Sequence, residues 1–171
     1  MKTFKELLIE LNACKDAREW AGDKSWQEIY NTCHRGDWLL WLFKRTNPDD
    51  LQLLILAKGH CANTVRHLMK DKKSIKAVDA AIAYGEGKIS REELDAAAAA
   101  YAAYTYAAAY AAYAAAYAAY ADAANAADAA AYAAYAAYAD AAYADAAKKE
   151  NQQLTADICR KYLPIEVWNI K

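Results

Sequence analysis

The side chains best suited to chemistry are concentrated in one short stretch of the sequence, Cys33–Leu42. Its polar and aromatic members are His34, Arg35, Asp37, Trp38 and Trp41. Arg35 and Asp37 flank a glycine between two predicted helices, which places Asp37 to cap the second helix. Two interpretations follow. Either an Arg35–Asp37 ion pair pins the turn while the tryptophans pack in the core, or Arg35 binds a carboxylate or phosphate as a forked donor beside a tryptophan.

A second group of candidate residues follows on one predicted helix: His60, Cys61, Arg66 and His67. His60 and His67 are seven residues apart and would therefore share a helix face. A zinc site would need ligands four residues apart or a Cys-x-x-Cys pair, and because the sequence offers neither, no metal is predicted. A cysteine nucleophile would need an adjacent base, which spacing alone does not reveal. We therefore predict no catalytic residues and interpret the histidines as structural residues or as part of a binding surface.

The third candidate region is an alanine-rich block from Ala96 to Ala147, in which 35 of 52 residues are alanine and 11 are tyrosine. Alanine is the strongest helix former, so this low-complexity block is predicted to be helical. One straight helix would be about twice as long as a compact domain of this size is wide, which favours a hairpin broken near residues 121–128.

The tyrosines of this block recur at a 4-3-4-3 spacing, which places them along one helix face. They either pack as large side chains between alanines or line a groove in which rings and hydroxyls bind a ligand. The candidate binding tyrosines are Tyr106, Tyr110, Tyr113, Tyr117, Tyr135 and Tyr138. The four aspartates of the block either solvate an apolar face or offer an acidic surface to a basic partner.

The elements that must position these residues are all predicted to be helices. Hydroxyl and glutamate residues spaced as capping boxes begin three of them, at Thr3, Ser25 and Ser90, and Asn47–Pro48 predicts a fourth start. The predicted helices span 4–21, 25–34, 37–45, 48–70 and 73–84, followed by the alanine-rich block and a C-terminal helix. The chain is therefore predicted to form one all-α domain over 1–171, a compact multi-helix bundle with a long Ala/Tyr-rich hairpin. Its three parts are 1–89, 90–147 and 148–171.

Composition excludes several classes of function. The formal net charge is -1, which argues against a general nucleic-acid binder or a polybasic membrane anchor. The apolar content comes mostly from alanine and tyrosine, and no run approaches the roughly 20 strongly apolar residues of a membrane span. The four cysteines are scattered, which is typical of reduced thiols in the cytosol. We expect a soluble cytoplasmic protein without cofactor, nucleic-acid or membrane partners, and leave a homo-oligomer open.

The order of these features resembles a family of immunity proteins attached to bacterial polymorphic toxin systems, the all-α family numbered five in that classification. The resemblance rests on residues 23–28, the Cys33–Leu42 stretch with its Arg-Gly-Asp-Trp core, residues 57–68, Gly85–Gly87, and the alanine block opened by Ser90–Asp95. It extends from about Glu19 to the C-terminal tail. It implies an all-α, non-enzymatic protein that neutralises a cognate toxin, and such proteins are also carried by phages.

Two functional hypotheses follow. The first is an immunity-like inhibitor that binds and blocks a harmful effector protein. The alternative is a phage counter-defence protein that sequesters a small nucleotide-derived signalling molecule in a pocket of tyrosine, tryptophan and arginine. On the alternative, replacing Arg35 or Arg66 with alanine is expected to abolish capture of the ligand.

Overall fold

The computed structural model of the chain describes residues 3–69, 72–102 and 141–170, with side chains for all of these except 99–102 and 141–146. The described residues form eight α-helices and two short 3₁₀ helices, without strands, and the predicted all-α fold is confirmed. The α-helices are α1 (Phe4–Glu10), α2 (Lys15–Ala21), α3 (Trp26–Thr32), α4 (Gly36–Thr46), α5 (Leu51–Asn63), α6 (Lys72–Gly85), α7 (Arg91–Ala102) and α8 (Ala141–Tyr162). The 3₁₀ helices are Arg66–Leu68 and Ile165–Val167.

The three predicted capping boxes are confirmed. Thr3 accepts a hydrogen bond from the backbone N–H of Glu6, whose carboxylate accepts one from the backbone of Thr3. Ser25 with Glu28 and Ser90 with Glu93 make the same reciprocal bonds. These caps satisfy first-turn amides that have no partner within the helix, so they fix where α1, α3 and α7 begin.

The predicted helix over 4–21 is wrong, because the chain breaks it into α1 and α2. Asn12 adopts a left-handed backbone conformation with φ of 57°, and its N–H donates to the carbonyl of Ile9 at 3.0 Å. Ala13 donates to the carbonyl of Leu8 at 2.9 Å. Asparagine tolerates this conformation better than most residues, so it can end a helix as glycine does. The break turns α2 away from α1 and leaves a space between them and α4.

The predicted helix over 48–70 is also wrong at both ends. It begins at Leu51, because Asn47 does not cap it: the Asn47 side chain is buried and donates to the carbonyl of Val167 at 2.6 Å. The helix ends at Asn63, where a turn and the 3₁₀ helix Arg66–Leu68 follow. The other three predicted helices of the first half agree with α3, α4 and α6 within two residues at each end.

The main core lies between α1–α5 and the C-terminal half of α8, and the tail after α8 folds back onto it. Trp168 of the tail is buried, with its ring centroid 4.8 Å from that of Trp26 and 4.9 Å from that of Phe43. Two smaller clusters form where α6 packs on α5 and where α7 joins them. The main core therefore supports the α3–α4 turn, where the sequence predicts a site.

The predicted hairpin and its candidate tyrosines, Tyr106, Tyr110, Tyr113, Tyr117, Tyr135 and Tyr138, lie outside the described residues, so these expectations stay predictions. The described structure enters this region with α7 and leaves it with α8. Among the helices that are described, none combines the length and the hydropathy that a bilayer crossing requires.

Candidate functional site

A partly open cavity of about 330 Å³ lies between α1, α2, α4 and the α3–α4 turn. Its aromatic lining is Phe4, Trp20, Trp38 and Trp41, and its polar lining is Asn12, Cys14, Cys33, Arg35 and Asp37. Aliphatic side chains complete the walls: Leu8, Ala13, Ala17, Ala21, Ile29, Leu39 and Leu42. We call it the tryptophan cavity. Four of the predicted site residues, Arg35, Asp37, Trp38 and Trp41, line it.

The cavity exists because alanine side chains on one side face large aromatic side chains on the other and do not fill the space between them. Ala13, Ala17 and Ala21 line the cavity from the α1–α2 break and from α2, and none of them reaches far from the backbone. On the α1 side, Phe4 stacks on Trp26 with ring centroids 5.4 Å apart. Because Trp26 packs against the main core, this stack holds the wall in place.

The Arg35–Asp37 ion pair forms one wall of the cavity. The Asp37 side chain is 2% exposed, and both carboxylate oxygens accept from Arg35, at 2.8 Å from Nε and 2.5 Å from Nη2. The predicted Arg35–Asp37 ion pair across the turn is thus confirmed, whereas Trp38 and Trp41 are half-buried and line the cavity. The expected helix cap is wrong, because Arg35 occupies the N-cap position and Asp37 lies inside α4. The pairing leaves the buried carboxylate neutralised.

Gly36, between the paired residues, lies directly against α8. A Cβ atom added to Gly36 would lie 2.5 Å from both the carbonyl carbon and the Oγ1 atom of Thr155. The thiol of Cys159, one helical turn further along α8, donates to the carbonyl of Gly36 at 3.5 Å. The Arg-Gly-Asp-Trp core of the sequence therefore has a structural cause: glycine allows α8 to approach, while its neighbours form the cavity wall.

Arg160 of α8 holds the α3–α4 turn through hydrogen bonds to its backbone. This role of Arg160 was not predicted from the sequence. Its Nε donates to the carbonyl of Tyr30 at 2.8 Å, and its Nη2 donates to the carbonyl of Cys33. These carbonyls lie at the C-terminal end of α3, where an arginine also complements the helix dipole. Arg160 is separated from Tyr30 by 130 positions and from Cys33 by 127 positions, and no local pattern in the sequence indicates contacts over such separations.

An aromatic cluster forms on the α2–α4 side of the cavity. The ring of Trp20 lies 5.7 Å from that of His34 and 5.9 Å from that of Trp38, and His34 lies 6.3 Å from Trp38. His34 is exposed, whereas Trp20, Trp38 and Trp41 are half-buried and pack against the main core. Sequence reasoning missed Trp20, because only the break at Asn12 turns α2 toward α4.

Each cavity-lining indole has a cation of the same chain beside it. Lys24 Nζ lies 4.7 Å from the ring centroid of Trp20, and the guanidinium carbon of Arg35 lies 4.7 Å from that of Trp38. Arg45 lies 5.7 Å from the ring centroid of Trp41. These cation–π contacts orient the rings and place positive charge next to the cavity.

The remaining predicted candidates lie elsewhere. Arg66 pairs with Asp79 of α6 at 2.5 Å and 3.1 Å, and the exposed His67 follows it in the 3₁₀ helix. His60 stacks on Tyr162 of α8, with centroids 4.0 Å apart. His60 and His67 do not share a helix face, because α5 ends between them. None of the three lines the tryptophan cavity.

The three buried cysteines lie around the junction of the α3–α4 turn, α5 and α8. Burial is the main cause that raises the pKa of Cys33 to about 11, and burial also raises the pKa of Cys159. Cys61 donates to the carbonyl of Thr155 at 3.7 Å. Because burial keeps the Cys33 and Cys159 thiols protonated, these two are poor nucleophiles. All four cysteines are free, and the described residues hold no group of three or more potential metal ligands.

Comparison of the chain with protein-family models, with curated proteins and with solved structures gives no match. The resemblance to the immunity protein family therefore stays a prediction. The fold and the site together define an all-α protein with a tryptophan-lined cavity.

Proposed function

We propose that this chain is a non-enzymatic binding protein that neutralises a harmful effector in the cytoplasm by sequestering a small molecule in the tryptophan cavity. The observation that carries the proposal is the cavity itself, about 330 Å³ and lined by three indoles, one phenyl ring and an ion pair whose carboxylate is buried. Concave, mostly apolar sites with a few placed polar groups are typical of small-molecule binding. A small signalling molecule held there is withdrawn from the effector that it activates.

An immunity-like inhibitor of an effector protein is the second candidate function, and one observation favours it. Ile9 is 50% exposed on α1, the helix that also carries Phe4 and Leu8 into the cavity wall. Ile9 does not line the cavity, but its exposed side chain gives a protein partner an apolar contact on the same helix. On this reading an anchoring side chain of the effector, rather than a free small molecule, enters the cavity.

Capture from a cell extract tests the first candidate. The purified protein is incubated with a protein-free small-molecule extract of bacterial cells, then repurified and heat-denatured. Mass spectrometry of the released fraction is expected to show one enriched compound. Trp38→Ala is expected to lose it, because Trp38 is a cavity wall.

Arg66→Ala is the matched control for Arg35→Ala. Both arginines make bidentate pairs with an aspartate, but only Arg35 lines the cavity. We expect Arg66→Ala to retain the compound and Arg35→Ala to lose it. If Arg35→Ala fails to fold because Asp37 is left buried and unpaired, Trp20→Ala replaces it. The proposal would be contradicted if the wild type enriched no compound. It would also be contradicted if Trp38→Ala released as much of the compound as the wild type.

A further inference from the structure

The charges around the tryptophan cavity restrict what can occupy it. Lys24, Arg35 and Arg45 lie beside the three indoles, so a cationic group in the cavity would meet like charge. Arg35 gives two of its donors to Asp37, whose carboxylate is buried in the wall. An anionic group would therefore face a carboxylate next to an already neutralised arginine. Lys24 and Arg45 lie outside the lining, so the charged side chains that line the cavity are the paired Arg35 and Asp37, and a further charge placed against this pair has a desolvation cost.

The shape and material of the walls favour a flat ring. Phe4, Trp20, Trp38 and Trp41 supply four planar side chains around a volume of about 330 Å³. That volume is at the small end of the range for ligand sites, so it holds one ring system and not a dinucleotide. Aromatic rings pack against one another in offset or edge-to-face arrangements that add to the apolar contact.

The hydrogen-bonding groups of the cavity add a further restriction. Within the part of the chain that the structure describes, the indole N–H groups of Trp20, Trp38 and Trp41 donate no hydrogen bond to protein. The side-chain amide of Asn12 likewise makes none there. The three indole N–H groups can only donate, and the exposed side-chain amide of Asn12 adds two further N–H donors together with one acceptor oxygen. A ligand that carries acceptor atoms would satisfy these donors, whereas an apolar ring would leave them unpaired.

We infer that the tryptophan cavity binds an uncharged heteroaromatic ring of about the size of a nucleobase, recognised through ring nitrogens or carbonyl oxygens that accept from the indoles and from Asn12. This inference rests on the proposed sequestration of a small molecule and specifies which part of that molecule enters the cavity. Any phosphate or other charged group of the same molecule stays outside.

Calorimetric titration with four defined probes tests the inference. Adenine and quinazolin-4-one are neutral bicyclic rings with acceptor atoms, indole is a ring of similar size without a ring-nitrogen acceptor, and ribose 5-phosphate is an anion without an aromatic ring. We expect adenine and quinazolin-4-one to bind, indole to bind at least about tenfold more weakly, and ribose 5-phosphate to release no heat. Raising the salt concentration is expected to leave the adenine affinity unchanged within about twofold.

Variants locate the binding site of the probes. Trp38→Ala is expected to abolish adenine binding, and Arg66→Ala is expected to leave it unchanged. Asn12→Gly removes the side-chain amide while keeping a residue that adopts positive φ, and we expect it to weaken adenine at least threefold without altering indole. Circular dichroism of each variant confirms folding. If Trp38→Ala does not fold, Trp20→Ala takes its place with the same expected loss.

The outcomes separate this inference from the proposed function. Equal affinity for indole and adenine, binding of ribose 5-phosphate, or binding of no ring at all would overturn the inference. Capture of a compound from the cell extract would in those cases still support sequestration. If the extract yields no compound, the proposed function is contradicted regardless of the affinities measured for the four probes.

Discussion

His60 illustrates how burial affects the protonation of a side chain. Its imidazole stacks on the phenol ring of Tyr162 at 4.0 Å with an angle of 7° between the planes. Its Nε2 atom is buried and has no hydrogen-bond partner among the described residues. Desolvation is the main cause that lowers the pKa of His60 below its ordinary value of 6.5. The folded protein therefore favours the neutral imidazole.

The resulting prediction concerns stability in mild acid. As the pH falls through 6.5, His60 of the unfolded chain takes up a proton more readily than His60 of the folded chain, whose pKa is lowered. The unfolded state then binds more protons, so the free energy of unfolding falls as the pH falls. We expect the urea midpoint of the wild type to decrease between about pH 7.5 and about pH 5. In His60→Phe, which keeps a stacking ring without a titrating group, the decrease is expected to be smaller.

His34→Phe provides the control, because His34 is exposed and belongs to the same residue type. Its urea midpoint is expected to follow the wild type across this pH range. Identical pH profiles for wild type and His60→Phe would show that His60 is not the group responsible.

Single residues were predicted well where the relevant partner is near in sequence. The Arg35–Asp37 pair follows from two opposite charges on either side of a glycine in a turn. Trp20 and Arg160 were not predictable in this way, because their contacts depend on how α2 and α8 pack. Local patterns in the sequence relate residues a few positions apart, so they contain no signal for contacts between distant residues.

At the scale of elements, the interior of each helix was predictable and two junctions were not. The apolar spacing predicts α3, α4 and α6 closely, and the capping box at Ser25 also predicts where α3 begins. The break at Asn12 contains neither glycine nor proline, so the apolar spacing of α1 continues into α2 and predicts one helix. Asn47 has the sequence signature of an N-cap, but its side chain is used to hold the tail through Val167. Tertiary contacts override the local preference in this case.

Gly36→Ala tests the close approach of α4 to α8. Alanine normally stabilises a helix relative to glycine by about 1 kcal/mol. Here the added Cβ would lie 2.5 Å from the carbonyl carbon of Thr155, so the helices must separate or distort. We expect Gly36→Ala to lower the free energy of unfolding by about 1–3 kcal/mol in urea denaturation.

Thr155→Ala in the Gly36→Ala background distinguishes the cause. It removes the Oγ1 atom, which also lies 2.5 Å from the added Cβ, but leaves the backbone carbon in place. No recovery of stability is therefore expected in the double variant. Full recovery would mean that the hydroxyl alone, and not the backbone of α8, limits the approach.

At the scale of the whole molecule, the C-terminal tail and the N-terminal helix are joined through a chain of aromatic contacts. Asn47 fixes the tail by donating to Val167 and accepting from the backbone N–H of Asn169 at 3.2 Å. Trp168 packs on Trp26 within the main core. The all-α class followed from helix signals alone, but no local signal predicts that residues near the C-terminus support a wall formed near the N-terminus.

Trp168→Ala is predicted to weaken ligand binding although Trp168 does not line the tryptophan cavity. Trp168 supports Trp26 at 4.8 Å, and Trp26 in turn stacks on Phe4 at 5.4 Å, which is part of the cavity wall. Loss of a buried indole is expected to cost about 3–5 kcal/mol of stability and to let Phe4 move. In the temperature range where the variant remains folded, we expect adenine to bind at least about threefold more weakly by calorimetry.

Val78→Ala separates this coupling from a general loss of stability. Val78 is 1% exposed, but it belongs to the separate cluster between α5 and α6 and does not contact the aromatic chain that leads to Phe4. Its substitution is expected to lower the free energy of unfolding by about 0.5–1.5 kcal/mol or more and leave the adenine affinity unchanged. If both variants weaken adenine in proportion to their lost stability, the cavity responds to global stability. If only Trp168→Ala does so, the tail acts on the cavity through Trp26 and Phe4.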